Sequence, residues 1–249
     1  MRATLYGLSL SPPSLAARLA LERKGIEHRV VDLLPGMHPL QLRMHGFHGA
    51  TVPAMKIDGR RLQGSRLITW VLDAVTSEPR LFPAEPEARR AVINAERWGD
   101  QALQPVPRRL FRWCSTHSRE VRRWMAADVV GMPVPGLMAT VNAPVAATFA
   151  RKSRATDAHV RADLDALPSL LDHVDALIDA GTIGADEPNA ADFQIGASVR
   201  ALAAFSDLAP WLTGRPAAQL AMRLLPDFPG PIPPVLPRAW LPPPAGGHA

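Results

Sequence analysis

The sequence predicts an α/β domain followed by an all-helical domain. Over residues 2–76, short apolar runs typical of strands alternate with amphipathic stretches typical of helices. A proline-rich segment follows, as expected for a linker between domains. Beyond it the apolar residues recur at helical spacing. The predicted parts are an α/β domain, a linker, an all-helical domain and a proline-rich extended tail, at residues 1–78, 79–86, 87–225 and 226–249.

The first half of the α/β domain contains residues that start and stop a helix. Ser11 suits the N-cap, and Pro12 suits the first helical position, where a missing N–H costs nothing. Gly25 is suited to end the same helix. The predicted elements of this half are a strand, a helix, a strand and a short helix, at residues 2–8, 12–24, 27–34 and 37–45.

A β-hairpin and a third helix complete the domain. Asp58-Gly59 stands between two short apolar runs, which is a strong hairpin signal. Pro53 stands at the first residue of the first hairpin strand, one of the few places where a sheet accepts proline. The next helix opens at Ser65 and runs to about Thr76, so the predicted order of elements is βαβαββα.

Composition excludes several classes of protein. The apolar fraction is 47%, and every apolar run is far shorter than the ~20 residues that a membrane span needs. No signal-peptide pattern opens the chain. A single cysteine, Cys114, excludes an intrachain disulfide and indicates a cytoplasmic protein. We expect Cys114 to lie in the core, and we expect no membrane partner.

The net charge of +5 is carried almost entirely by arginine. These arginines are scattered over many predicted helices, and no basic run is interleaved with aromatic residues. We therefore expect no nucleic-acid partner. Abundant arginine and alanine together indicate a G+C-rich bacterial genome.

The stretch from Val52-Pro53 through the hairpin to Ser65 resembles the glutathione S-transferase N-terminal domain, in which a valine–cis-proline pair precedes a hairpin and a serine opens the next helix. The βαβαββα order resembles a thioredoxin-like fold. The resemblance implies that Val52 pairs through its backbone with glutathione or a related small thiol, as an added strand would. It also implies that Ser65 and its helix N-terminus hold the γ-glutamyl carboxylate of that cosubstrate.

The same resemblance places catalysis at Ser11-Pro12, where serine-type members of the family carry a serine at a strand-to-helix turn. The implied role of Ser11 is to stabilise the thiolate, together with the helix N-terminus, for attack on a hydrophobic electrophile. Ser9, Ser14 and Tyr6 compete with Ser11 for this role. A plain helix cap is the alternative for Ser11, and a buried strand tyrosine is the alternative for Tyr6.

One position departs from the family pattern. Members of the family usually carry glutamate or glutamine directly before the helix-opening serine, whereas this chain has Gly64 there and Gln63 one residue earlier. Either Gln63 supplies the missing contact from a shifted backbone, or a thiol other than glutathione binds.

Three histidines precede the hairpin. The spacing of His38, His45 and His48 fits no common zinc pattern, so we expect no metal and a solvated loop. His38, Gln41 and His48 are also candidates for binding the glycyl carboxylate of the thiol cosubstrate.

In the helical domain, Pro105 and Pro107 must kink or split the first predicted helix. The corresponding helix of the family overlooks the active-site cleft. The resemblance therefore implies that Trp98, Gln101 and Gln104 contribute to the electrophile pocket, while a packed helix stripe is the alternative for Trp98.

A capping motif appears late in the chain. Asn189 can cap the helix that follows, and Asp192 can reach back to the Asn189 N–H, a variant of the capping box. The segment resembles the buried capping motif of the glutathione transferase C-terminal domain, where its role is structural.

The resemblance covers residues 1 to about 225. It implies a cytoplasmic, homodimeric, bacterial transferase of the detoxification type, which joins a small thiol to a hydrophobic electrophile without a metal. The alternative function is a non-catalytic binding or scaffold protein with the same fold.

Overall fold

The computed structural model describes residues 1–241 and residue 243. The end of the predicted tail, residues 242 and 244–249, lies outside the described residues. The chain forms two compact units. Each unit combines two stretches of chain, Met1–Gln104 with Leu177–Ser198 and Pro105–Ala176 with Val199–Ala249. The division into domains at the linker, residues 79–86, stays a prediction.

The first unit contains a four-stranded sheet with the strand order β2-β1-β3-β4. Its strands are β1 (Arg2–Gly7), β2 (Glu27–Asp32), β3 (Ala54–Ile57) and β4 (Arg60–Gln63). β1 and β2 are parallel, whereas β3 is antiparallel to both β1 and β4. With α1 (Pro12–Arg23), α2 (His38–Met44) and α3 (Ser65–Val75), the predicted βαβαββα order and the thioredoxin-like fold are confirmed.

The hairpin turn has the backbone that its two residues favour. Asp58 and Gly59 both have positive φ, at 44° and 81°. Two consecutive residues of this kind form the turn whose twist matches that of the flanking strands. The turn therefore sets the pairing of β3 with β4, in which Ala54 faces Gln63.

Helices cover both faces of the sheet. α1 packs on α3 and on β1. Successive strand residues point to opposite faces, so the buried side chains of Leu5 and Tyr6 lie on different faces of the sheet. Tyr6 packs with Leu42 of α2, Phe47 and Ala54.

The predicted first helix after the linker is divided. α4 (Pro86–Trp98) passes into a π-helical turn at Gly99–Leu103, and a new helix begins at Pro105. Proline lacks the N–H that a continuing helix would need, which explains the break. Proline is accepted in the first turn of the new helix.

The remaining chain is predominantly helical, as predicted. Its helices are α5 (Pro105–His117), α6 (Arg119–Trp124), α7 (Pro135–Val141), α8 (Ala143–Lys152), α9 (Asp157–Asp179), α10 (Ala190–Ala203), α11 (Ala209–Leu212) and α12 (Pro216–Leu224). The described part of the tail contains a turn at residues 226–227 and a 3-10 turn at Arg238–Trp240. Ile232 of the tail is buried and pairs with Phe205.

Candidate functional site

The strand pairing brings most of the predicted site residues to one end of the sheet. Tyr6, the next-to-last residue of β1, faces Ala54, the first residue of β3, and Ala54 faces Gln63, the last residue of β4. The Gly64 N–H donates to the Pro53 carbonyl at 2.9 Å. The β1–α1 turn, the Val52-Pro53 pair and the start of α3 therefore lie at the same end.

Val52 has the backbone state that the sequence predicts. The Val52-Pro53 peptide bond is cis. Among the residues that the structure describes, none hydrogen-bonds to the Val52 N–H or C=O. Because β3 begins only at Ala54, this backbone donor and acceptor are left over at the end of the strand. An extended ligand could pair with them.

Ser11 is the N-cap of α1, and its hydroxyl is not used by the helix. The Ser11 carbonyl accepts from the Leu15 N–H at 3.0 Å, but the side chain makes no capping hydrogen bond. Pro12 and Pro13 remove two of the N–H groups that a helix start normally offers. The half-buried Ser11 hydroxyl is therefore the main donor that this turn can give a ligand.

The competing residues are engaged elsewhere. The Ser9 hydroxyl donates to Asp32 Oδ1 at 3.2 Å, and the buried Ser14 Oγ accepts from the Leu8 N–H at 3.4 Å. The Tyr6 ring packs against the His45 ring at a tilt of 40°, with 4.5 Å between ring centroids. These contacts support Ser11 over its neighbours, whose catalytic roles stay predictions.

Ser65 is the first residue of α3, and it is buried. Its hydroxyl donates to Gln194 Oε1 on α10 at 3.0 Å. Both residues belong to the first unit. Ser65 therefore differs from Ser11, because its hydroxyl already has a partner within the fold.

The residues before Ser65 explain the departure from the family pattern. Gly64 has φ +96°, a region that disfavours side chains, and nothing stands within 4 Å of where its Cβ would be. Backbone conformation alone therefore favours glycine at this position. The Gln63 side chain accepts from the Gly49 N–H at 3.0 Å and donates to the Thr51 carbonyl at 3.1 Å. Gln63 thus holds the loop that leads into Val52.

The predicted solvated loop of histidines is wrong for His38. His38 is the first residue of α2, and it shares the buried face of that helix with Leu42, four residues on. His45 is half-buried against Tyr6, and His48 is exposed. Within the described part of the chain, no three His, Cys, Asp or Glu side chains form a group that could hold a metal ion.

The predicted electrophile residues lie on or beside the π-helical turn. Trp98 is half-buried, Gln101 is exposed and Gln104 is buried. The helix before this turn is tied to α3 by Arg66, whose Nε donates to Glu96 Oε2 at 3.2 Å. Burial raises the pKa of the Glu96 carboxyl, although Arg66 opposes that shift. The pocket role of these three residues stays a prediction.

The capping motif has full hydrogen-bond geometry. Asn189 Oδ1 accepts from the Ala191 and Asp192 N–H groups, at 2.9 and 3.3 Å. Asp192 Oδ2 accepts from the Asn189 N–H at 2.8 Å, and its Oδ1 accepts from the Gly184 N–H at 2.6 Å. These bonds fix the start of α10, on which Gln194 follows two residues later.

Sequence reasoning missed Gln194 and the buried ion pair of Lys24. Lys24 Nζ donates to Asp73 Oδ1 at 3.0 Å and to the Thr76 carbonyl at 2.6 Å, at the end of α3. The side chain of Lys24 is fully buried. The signal for Gln194 was its place just after a capping motif. No sequence pattern predicts the ion pair of Lys24, because its partner Asp73 is 49 residues away along the chain.

Cys114 is an inert core residue. It is fully buried, and burial raises the pKa of its thiol. A thiol that resists ionisation is a poor nucleophile.

The architecture is a thioredoxin-like sheet domain followed by a predominantly helical remainder, with a serine at the first strand-to-helix turn. The family model described as the glutathione S-transferase N-terminal domain matches residues 5–80. This match assigns residues 5–80 to the glutathione S-transferase N-terminal domain. None of the curated protein sequences matches the chain.

Solved structures resemble nearly the whole chain. A glutathione S-transferase from Rhodospirillum rubrum F11 is 20% identical with a TM-score of 0.57, covering 96% of this chain and 97% of that chain. One from Methylobacterium radiotolerans, in complex with glutathione sulfonate, is 20% identical with a TM-score of 0.54, covering 95% and 97%. The beta-etherase LigF from Sphingobium sp. strain SYK-6 is 20% identical with a TM-score of 0.53, covering 82% and 84%. At these identities the likeness establishes the fold. Along the described residues, no helix is both long and apolar enough to cross a membrane.

Proposed function

We propose that the protein is a glutathione S-transferase-like enzyme, which activates glutathione or a related small thiol for attack on hydrophobic electrophiles. One observation carries the proposal. The strand pairing places the unengaged Ser11 hydroxyl and the unpaired Val52 backbone at the same end of the sheet.

Ser11 is the group proposed to act on sulfur. Its hydroxyl donates to the thiolate and stabilises it against the thiol. The positive end of α1 adds to this effect, since anions are favoured at helix N-termini. Because Pro12 and Pro13 offer no N–H groups, we expect the hydroxyl to supply most of the stabilisation.

The rest of the thiol is proposed to lie along Val52 and the start of α3. Val52 pairs with the ligand backbone, and Pro53 and Gly64 shape the wall beside it. Ser65 receives the γ-glutamyl carboxylate, and His38 the glycyl carboxylate. The relative from Methylobacterium radiotolerans, solved with glutathione sulfonate, favours glutathione as this ligand.

Gln63 is proposed to act indirectly. Its amide is already bonded to Gly49 and Thr51, so it orients the loop that carries Val52. The amino group of glutathione then lacks the side-chain partner that other family members provide. A different bacterial thiol therefore remains a specific competitor in the binding test below.

Several further properties belong to the same proposal. Trp98, Gln101 and Gln104 form the electrophile pocket, and the protein acts as a cytoplasmic homodimer in bacterial detoxification. The proposed domains are the thiol-binding domain at residues 1–78 and the helical domain at residues 87–225. No metal takes part.

Calorimetry against a panel of thiols tests the proposal. Glutathione, mycothiol and bacillithiol are titrated separately, with S-methylglutathione as the control ligand that lacks a thiol proton. We expect one of the three thiols to bind with measurable heat and to raise the melting temperature. We also expect thiol-dependent turnover of a chlorodinitrobenzene. Absence of binding by all three thiols would overturn the enzyme proposal and favour a scaffold.

A further inference from the structure

Gln194 and Ser65 form a buried pair in the first unit. Ser65 is 4% exposed and Gln194 is 2% exposed, and the Ser65 hydroxyl donates its proton to Gln194 Oε1 at 3.0 Å. A serine hydroxyl has one proton to donate and lone pairs that accept. In this arrangement the hydroxyl can only accept from a ligand.

The amide nitrogen of Gln194 is buried, and none of the described residues hydrogen-bonds to it. A buried donor without a partner is costly, and such groups call for a physical explanation. An amide can exchange its oxygen and nitrogen by turning about its last bond, so Gln194 can either accept from Ser65 or donate to it.

The backbone that carries Gln194 is held in place. A Cβ on Gly99 would lie 2.7 Å from Ile195 Cγ1 and 3.3 Å from Gln194 Cγ, so α10 approaches the π-helical turn closely. Asp192 fixes the start of α10 through the Gly184 and Asn189 N–H groups. The amide group can therefore turn while its backbone stays at the start of α3.

We propose that Gln194 is a positioning residue that sets the direction of the Ser65 hydroxyl proton. This inference rests on the proposed function, in which Ser65 receives a ligand carboxylate. When the carboxylate binds, the amide turns and Nε2 donates to Ser65 Oγ, so the intact Ser65 hydroxyl can donate its hydrogen bond to the carboxylate. Without that turn, Ser65 presents only lone pairs to a negative charge.

Two substitutions separate this role from a structural one. Gln194→Glu keeps the shape of the side chain, but an ionised carboxylate can only accept. The Ser65 hydroxyl then stays bonded to residue 194 and cannot donate to the ligand. Gln194→Met keeps the length but removes the partner, so the hydroxyl is free to donate. A purely structural role predicts that the methionine variant is the more damaged of the two.

The test is calorimetry with glutathione at a series of pH values up to about 9, because burial at position 194 raises the pKa of the introduced carboxyl and only the ionised form is restricted to accepting. We expect Gln194→Glu to weaken binding about tenfold or more, since hydrogen bonds to charged groups are strong. We expect Gln194→Met to stay within about threefold of the unaltered protein. A glutathione analogue without the γ-glutamyl α-carboxylate is the control ligand, and its binding should be equally weak in all three proteins.

Equal binding of glutathione by the unaltered protein and both variants would overturn the inference and leave the proposed function standing. No binding by the unaltered protein would overturn both. If a variant fails to fold, NMR of the unaltered protein tests the inference through the side-chain amide resonances of Gln194. The inference expects them to shift when glutathione is added, and unchanged resonances at saturation would overturn it.

Discussion

Two helices begin with a serine at the same end of the sheet, yet their hydroxyl groups are in opposite situations. Ser11 at the start of α1 is half-buried and makes no side-chain hydrogen bond within the described fold. Ser65 at the start of α3 is buried and bonded to Gln194. The difference shows how the surroundings decide the use of a serine at a helix start. Its hydroxyl is available for catalysis when no side chain bonds to it, and it becomes part of a fixed binding surface when a neighbouring helix supplies a hydrogen-bond partner.

The two hydroxyl groups therefore differ in what their removal should change, function or stability. Removing the Ser11 hydroxyl takes nothing from the fold, so any loss must appear in function. Removing the Ser65 hydroxyl leaves a buried amide without its partner, so the loss must appear in stability as well. Four predictions test this division, in order of decreasing effect.

The largest effect is expected from Asp192→Ala, which loosens the helix behind Ser65. Asp192 is fully buried, and its carboxylate accepts from two backbone N–H groups, of Gly184 and Asn189. Losing these two charge-assisted hydrogen bonds should lower the free energy of unfolding by about 3 kcal/mol. Urea denaturation followed by circular dichroism measures this change.

Asp186→Ala is the matched control, because Asp186 lies exposed in the same loop. It should change the free energy of unfolding by less than about 0.5 kcal/mol. An equally small effect of Asp192→Ala would show that the capping bonds do not secure α10.

Ser11→Ala should lower thiol-dependent kcat about 100-fold, a typical cost of removing one donor to a developing or stabilised anion. Its melting temperature should stay unchanged, because none of the described residues hydrogen-bonds to the Ser11 hydroxyl. Ser9→Ala serves as the control, with kcat within about threefold of the unaltered enzyme. A reversed ranking of the two variants would move catalysis to Ser9.

Ser65→Ala should lower the free energy of unfolding by about 1–2 kcal/mol, since a buried hydrogen bond is lost and Gln194 keeps an unpaired amide. Ser11→Ala, measured in the same denaturation experiment, is its control and should show no loss. If both variants unfold alike, the contrast between the two serines disappears.

The smallest effect concerns Glu96, the buried partner of Arg66 beside Ser65. Burial raises the pKa of the Glu96 carboxyl above its ordinary 4.5, so the folded protein keeps this proton to a higher pH than the unfolded chain does. Stability should therefore fall as the pH rises from about 4.5 through the raised pKa, and then level off.

Glu96→Gln removes this titration, so its stability should be flatter over the same pH range. Thermal unfolding at a series of pH values compares the two proteins. An identical pH profile for both would mean that burial of Glu96 does not shift its pKa in the folded protein.

The sequence predicted most elements of the first unit because their signals are local. Asp58-Gly59 supplies the turn that sets the hairpin, and Pro12 and Gly25 mark the limits of α1. Asn189 and Asp192 stand three residues apart and bond to each other's backbone. Each of these features can be predicted from a few neighbouring residues.

The contacts that local signals miss are those between distant parts of the chain. Ser65 and Gln194 are 129 residues apart, and Arg66 and Glu96 are 30 apart. Their pairing depends on how helices pack, which hydrophobic spacing alone does not specify. His38 was misjudged for a similar reason, because its burial depends on the position of α2 against the sheet.

The ionisation of the bound thiol tests the central proposal most directly. Ultraviolet absorption of the thiolate, recorded against pH with glutathione bound, reports the pKa of the sulfur. We predict that the unaltered protein lowers this pKa from ~8.5 to roughly 7 or below, and that Ser11→Ala returns it towards ~8.5. A bound thiol that titrates alike in the two proteins would contradict the role of Ser11.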